Sequence, residues 1–348
     1  MSTQLQTEAF NPNDFACGEG IYGLPFTTEN AAQVIIPVPW EATVSYRQGT
    51  AQGPSAILEA SRQVDLFDAD VHDAWKMGLA LDVISAELVE LNELTRQDVE
   101  QQLENLVNGV KDPELLNRIN ANCERMNDYV RQRASHFLDK GKLVYAMGGD
   151  HSTPLGLLQE LAKRTSFGIL HFDAHADLRD AYEGFEFSHA SIMFNVMKLA
   201  NVTKLVQVGI RDYCEDEVNL VANSQERIVM FTDRELKAKQ FAGYAWREIC
   251  QDILAKLPQQ VYVSFDIDGL DPKLCPNTGT PVPGGLEFEQ ALFLVKEVVS
   301  SGRTIIGFDL NEVAPGADDE WDACVGARLF YRLANLAALS NKLSPLNF

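Results

Sequence analysis

Phe167-Gly168-Ile169-Leu170-His171-Phe172-Asp173-Ala174-His175-Ala176-Asp177 is a short apolar run that turns abruptly into ionisable side chains at alternate positions. A run of this length and composition reads as a strand buried on both faces, as in a parallel sheet. Side chains at i, i+2 and i+4 of an extended segment point to one side, so Asp173, His175 and Asp177 are expected to converge. Six further runs have the same character: Val34–Val38, Leu143–Met147, Leu205–Ile210, Arg227–Phe231, Val261–Phe265 and Thr304–Phe308. Between them lie amphipathic stretches. Leu88 to Lys140 reads as mostly helical, broken near Lys111–Pro113, and solvated on its outer side; Trp246–Leu257, Phe288–Ser300 and Ala327–Asn341 carry helical periodicity. Strands alternating with helices predict an α/β fold: a three-layer α-β-α sandwich with a mainly parallel central sheet. In such sheets a site lies beyond the carboxyl ends of the strands.

Two more polar clusters follow strand ends. Gly148-Gly149-Asp150-His151-Ser152 comes directly after the run ending at Met147, and Ser264-Phe265-Asp266-Ile267-Asp268-Gly269-Leu270-Asp271-Pro272 closes another. Alone, each has an ordinary explanation as a turn, a helix cap or a surface loop. Together they bring four carboxylates (Asp173, Asp177, Asp266, Asp268) and two imidazoles (His151, His175) to one edge of the sheet. Acids packed this way repel unless protonated or neutralised. Divalent cations neutralise them, and carboxylates with some imidazole suit Mn2+ best, with Fe2+, Co2+, Ni2+ and Zn2+ as alternatives. Two histidines disfavour a structural calcium site. Six ligands on one ion leave little room for substrate, whereas two ions sharing carboxylates keep positions open for water.

Composition narrows the partners. The chain has 348 residues, 46% hydrophobic and 23% charged, with a formal net charge of −21. That charge disfavours nucleic acid and anionic membranes and is compatible with a cationic substrate. No apolar stretch approaches the length of a membrane-spanning helix. Met1 to Glu19 lacks the basic-then-apolar order of a signal peptide, so a cytoplasmic location is expected. The six cysteines (Cys17, Cys123, Cys214, Cys250, Cys275, Cys324) form no CxxC pair and read as buried thiols.

The three clusters resemble the signature segments of the ureohydrolases, the arginase and agmatinase superfamily. Further stretches are similar to that family: Pro39-Trp40-Glu41 with Gly49–Pro54, Gly209-Ile210-Arg211, Thr278–Pro281 with Pro283-Gly284-Gly285, and Asp309-Leu310-Asn311-Glu312-Val313. The resemblance runs from about Val34 to the carboxyl end. It implies an N-terminal segment, residues 1–33, packing on a single catalytic domain, residues 34–348. It implies two Mn2+ per subunit, with Ni2+ or Co2+ as substitutes: one held by His151, Asp173, Asp177 and Asp266, the other by Asp173, His175, Asp266 and Asp268. Glu312 matches the residue that pairs with a guanidinium, and His189 matches a proton-shuttling histidine, although Ala190 follows it where relatives often have Gly, Ser or Thr. Asp177 would pass a proton to the leaving amine. Arg179 and Glu183 lie in the loop expected to face the substrate tail; its acids would receive a terminal ammonium, whereas Arg179 would suit a carboxylate. The implied reaction splits a small cationic guanidino compound into urea and an amine, agmatine to putrescine first, as in polyamine metabolism. The alternatives are arginase, guanidinobutyrase, guanidinopropionase and guanidine hydrolase, and, in another class, a non-catalytic metal-binding regulatory subunit. A homo-oligomer, trimer or hexamer, is implied as well.

Overall fold

The computed structural model describes residues 10–14, 16 and 18–343. All eight strands pair in parallel: β1 (Gln33–Val38), β2 (Leu79–Leu81), β3 (Leu143–Gly148), β4 (Phe167–Phe172), β5 (Val202–Ile210), β6 (Ile228–Thr232), β7 (Gln260–Asp266) and β8 (Thr304–Asn311). Their order across the sheet is β2-β1-β3-β8-β7-β4-β5-β6. The seven apolar runs are the seven longer strands. β2 has three residues, too few to show a pattern in the sequence.

Strand alternation divides the core. Val34, Ile36 and Val38 face one helical layer with Ile169, while Ile35, Leu170, Val263 and Phe308 face the other. The first layer holds α2 (Ala86–Val107), α3 (Pro113–Leu138), α4 (Leu155–Arg164) and α5 (Ile192–Val196). The second holds α1 (Gly53–Ala60), α7 (Asp233–Phe241), α8 (Trp246–Leu254), α9 (Phe288–Ser300) and α10 (Trp321–Ser340). A further helix, α6 (Glu215–Asn223), follows β5. The sandwich is therefore the three-layer α/β arrangement expected.

The break near Lys111–Pro113 is the α2–α3 turn. Asp112 caps α3, accepting a hydrogen bond from the Leu115 amide at 2.9 Å, and Pro113 occupies the first helical turn, where its missing N–H costs nothing. α3 is amphipathic as read, but it buries Ile119, Cys123, Met126, Val130 and Phe137 against the sheet. The stretch also supports loops at the strand ends. Asn92 accepts from the Glu41 amide at 2.7 Å, Arg96 donates to the Ala42 and Val44 carbonyls, and Asn120 accepts from the Glu186 amide at 2.9 Å.

Ile21, Tyr22 and Leu24 of the N-terminal segment are buried; the Tyr22 hydroxyl donates to the Ala327 carbonyl of α10 at 2.8 Å. Among the described cysteines all five are free, with Cys123, Cys250 and Cys275 buried and Cys214 and Cys324 partly exposed; Cys17 lies outside the described residues. No helix among the described residues is long and apolar enough to cross a membrane.

Candidate metal centre

The sheet order places β3, β8, β7 and β4 side by side, so four segments far apart in sequence end at one place. Gly149 makes the meeting of β1 and β3 possible. A Cβ there would lie 1.8 Å from the Trp40 carbonyl oxygen, which accepts the Asp150 amide at 2.7 Å. Only glycine allows so close a backbone approach.

His151, Asp173, His175, Asp177, Asp266 and Asp268 all reach this place. His151 Nδ1 lies 3.0 Å from Asp173, 3.4 Å from Asp177 and 3.3 Å from Asp266. His175 Nδ1 lies 3.0 Å from Asp268 and 3.5 Å from Asp173. The route to convergence differs from simple strand alternation. β4 stops at Phe172, and Asp177 adopts left-handed backbone with φ 54°. That turn exposes its carbonyl to the Met193 and Phe194 amides at the start of α5 (3.0 and 3.2 Å). Asp268 sits in a 3-10 turn, Ile267–Gly269, whose own amide donates to Asp266 at 2.8 Å. Arg211 holds this turn by donating to the carbonyls of Asp268 (2.7 Å), Leu270 (3.2 Å) and Val282 (2.9 Å).

Glu312 follows β8, also in left-handed backbone at φ 62°. Few non-glycine residues adopt this conformation, and it persists only where surroundings enforce it. Here the Glu312 amide donates to Gly149 (2.8 Å), Thr278 Oγ1 donates to the Glu312 carbonyl (2.8 Å), and Glu312 Oε1 accepts the His151 amide (2.8 Å).

The acids are nearly water-free: Asp173, Asp177, Asp266, Asp268 and Glu312 are at most 6% exposed. Burial, followed by repulsion from Asp173, pushes Asp177 well above the usual carboxylate range. Burial and then Asp268 do the same to Asp266, and burial and then Asp150 to Glu312. Burial also opposes ionisation of Asp173, but the neighbouring imidazoles, His171 first, outweigh it and hold this carboxyl well below its ordinary range. Burial disfavours the charged form of His175, yet Asp268 and Asp173 push it up to about 12. Donor atoms fall into two groups, His151 with His171, Asp173 and Asp177, and Asp173 with His175 and Asp268, and the Nε2 atom of His175 has no hydrogen-bond partner. A buried His/Asp cluster in two groups sharing one carboxylate fits a binuclear metal site.

A cavity of about 170 Å³ opens onto His151, His175, Asp177, Asp266 and Asp268 and onto Glu312, His189 and Arg179. His189 is half-buried at its wall, and burial, then the nearby His175 and His151, push its imidazole down to about 4. The Arg179 guanidinium lies over the Tyr182 ring at 4.8 Å. Glu183 is elsewhere: it lines an adjoining cavity of about 400 Å³ with Asp180 and Asp216, and Arg179, Tyr182 and Glu217 border both cavities. Sequence reading missed Ser45, Asp212 and Glu217 in the cavity wall and Gln207 behind the donors, and it gave no role to Thr280 and Ser264 within the segments it singled out. Gln207 stands two residues before the Gly209-Ile210-Arg211 motif, and Ser264 two before Asp266, so inward-facing strand alternation would have found both.

A family model described as the Arginase family matches residues 31–335. The chain is 31% identical over 306 residues to the N(1)-aminopropylagmatine ureohydrolase of Synechocystis sp., covering 87% of this chain and 88% of the relative. It is 28% identical over 306 residues to the agmatinase of Bacillus anthracis, covering 87% and 91%. The crystal structure of the agmatine ureohydrolase of Thermoplasma volcanium shares the fold, with a TM-score of 0.71 over 98% of this chain and 99% of that one at 21% identity. With the family model spanning most of its length and the acid- and histidine-rich segments assembled at one sheet edge, the chain belongs to the Arginase family.

Proposed function

We propose that this chain hydrolyses a guanidino C–N bond to release urea and an amine, in the manner of an agmatinase, with agmatine as the first substrate to test. One observation carries the reading: a single cavity is bordered by both groups of metal donors and by Glu312, a buried carboxylate in enforced left-handed backbone. His151, Asp173, Asp177 and Asp266 would hold one divalent cation, and Asp173, His175, Asp266 and Asp268 the other, with Mn2+ the best match to this donor chemistry and Ni2+ or Co2+ as substitutes. The cations would supply a bound water of lowered pKa as the nucleophile. Glu312 offers a fixed carboxylate to a planar guanidinium, setting its orientation in the cavity. Asp177, on the cavity wall, is placed to pass a proton to the leaving amine, and His189 to exchange it with solvent.

The tail would run toward Arg179, Tyr182 and Glu217. Asp212 and Glu217 there favour a cationic end. The name of the Synechocystis relative adds a longer cationic tail to the candidates, and such a tail would reach Asp180, Glu183 and Asp216 in the adjoining cavity. Arg179 favours a second reading, a carboxylate-bearing tail as in arginine or guanidinobutyrate. The same family reading carries a catalytic domain over residues 34–348 with the N-terminal segment, residues 1–33, packed on it, of which 1–9, 15, 17 and 344–348 lie outside the described residues, together with a homotrimer or hexamer and a cytoplasmic location.

Urea release from agmatine, aminopropylagmatine, arginine, guanidinobutyrate, guanidinopropionate and guanidine, with Mn2+ and Ni2+ separately, tests the reading. Turnover of a cationic-tailed substrate that is lost in Asp173→Asn and Asp268→Asn, together with bound metal, supports it. Absence of urea from every compound in metal-loaded protein favours a non-catalytic regulatory subunit instead.

A further inference from the structure

His171 is fully buried, and its donor atom clusters with those of His151, Asp173 and Asp177 within 4.8 Å. By distance alone it is as good a ligand as His151. The hydrogen-bond network separates the two. Gln207 of β5 places its amide nitrogen 2.7 Å from the Ala176 carbonyl and 3.0 Å from His171 Nδ1. The carbonyl can only accept, so the atom facing it is the amide NH2, and the second N–H of that group points at Nδ1. Nδ1 therefore accepts, and the ring proton sits on Nε2, 2.8 Å from Asp173 Oδ2. His151 has its ring proton on the same nitrogen for a different purpose. Its Nε2 lies 2.9 Å from Ser264 Oγ, and Ser264 donates to Asp309 at 3.0 Å, so the hydroxyl must accept from Nε2–H. In the neutral ring that metal binding requires, this turns the lone pair of His151 Nδ1 toward Asp173, Asp177 and Asp266, in place of its 3.0 Å hydrogen bond to Asp173.

We infer that His171 is not a metal ligand but a positioning residue: Gln207 sets its tautomer, and its Nε2–H fixes the orientation of the Asp173 carboxylate. Asp173 belongs to both donor groups, so its orientation governs both sites at once. Outer partners of this kind typically change metal affinity or activity by about 10–100-fold. The inference rests on the reading above in which Asp173 holds metal.

Isothermal titration of Mn2+ into metal-free full-length protein tests it, beside kcat and KM on the best substrate. His171→Leu removes the N–H and is expected to keep two Mn2+ per chain while weakening affinity about 10–100-fold. His171→Gln restores an N–H near the position of Nε2 and should recover most of that loss. Gln207→Met frees the tautomer and should weaken binding in the same direction; it touches none of the proposed ligands, so it carries the test if the buried His171 variants fail to fold by circular dichroism. A fall to one Mn2+ per chain in both His171→Leu and His171→Gln would make His171 a ligand and overturn the inference. Unchanged affinity in His171→Leu, or in Gln207→Met where the other cannot be used, would overturn it as well. Failure of the underlying reading looks different: wild type would bind no Mn2+, or Asp173→Asn would bind as wild type does.

Discussion

Glu312 and Asp177 are the two acids of the metal-centre cavity wall that the backbone holds in left-handed conformation, which is rarer for glutamate than for aspartate. Burial pushes both carboxyls above the usual carboxylate range, followed by repulsion from Asp173 at Asp177 and from Asp150 at Glu312. Glu312→Gln should keep the acceptor for the His151 amide and keep both metals, yet lose the charge that pairs with a guanidinium. The expected result is a fall in kcat/KM of about 100-fold or more with unchanged metal content by elemental analysis. Loss of metal in this variant would instead make Glu312 part of the metal cage. His189→Gln should retain metal and reduce kcat by about 100-fold or more, because a neutral amide cannot exchange a proton. Retained kcat would remove His189 from the proton path. Asp177 stood out in the sequence within its acid- and histidine-rich segment, whereas Glu312 and His189 were reached through the family resemblance. Asp212 and Glu217 were found by neither route, since their roles depend on β5 and α6 returning to the same cavity.

At the scale of elements, the close approach of β1 and β3 is decisive. Gly149→Ala would drive a Cβ into the Trp40 backbone, displacing the loop that carries His151. A destabilisation of at least about 3 kcal/mol is expected by thermal or denaturant unfolding. Gly141→Ala is the control: its φ is +73°, but nothing lies within 4 Å, so only backbone strain of about 1–2 kcal/mol applies. Similar losses in the two variants would mean that the β1–β3 approach is not a constraint. α3 offers a second test. Arg133 donates to both oxygens of buried Asp82, at 2.7 and 2.9 Å, tying α3 to the residue after β2. Arg133→Met should cost on the order of 1–3 kcal/mol by leaving that carboxylate unpaired. The long strands were legible because strands buried on both faces must be apolar throughout. α1 was not read from the sequence: Gly53 and Pro54 open it, yet proline in the first turn is compatible with helix, and Ile57 and Ala60 are buried.

For the molecule as a whole, the metal centre should be a structural joint as well as a reaction site. It gathers the carboxyl ends of β3, β4 and β7, with Glu312 after β8 alongside. Chelation should therefore lower the melting temperature, and Mn2+ in excess should restore it; binding at a hundred times its dissociation constant contributes about 2.7 kcal/mol. A melting temperature indifferent to chelator, in protein shown to have lost its metal, would mean that the joint is already complete without cations. The amino-acid sequence by itself determined the fold class and the acid- and histidine-rich clusters at three strand ends, because each follows from local composition and spacing along its own strand end. Tertiary structure alone decided the rest. It decided that β7 and β8 insert between β3 and β4, that Asp177 and Asp268 converge through a left-handed residue and a 3-10 turn, that Glu183 borders the second cavity, and that Gln207 chooses the tautomer of His171. The physical reason is common to all four. Each depends on which groups from distant segments become mutual neighbours once water is excluded, and no local pattern encodes that.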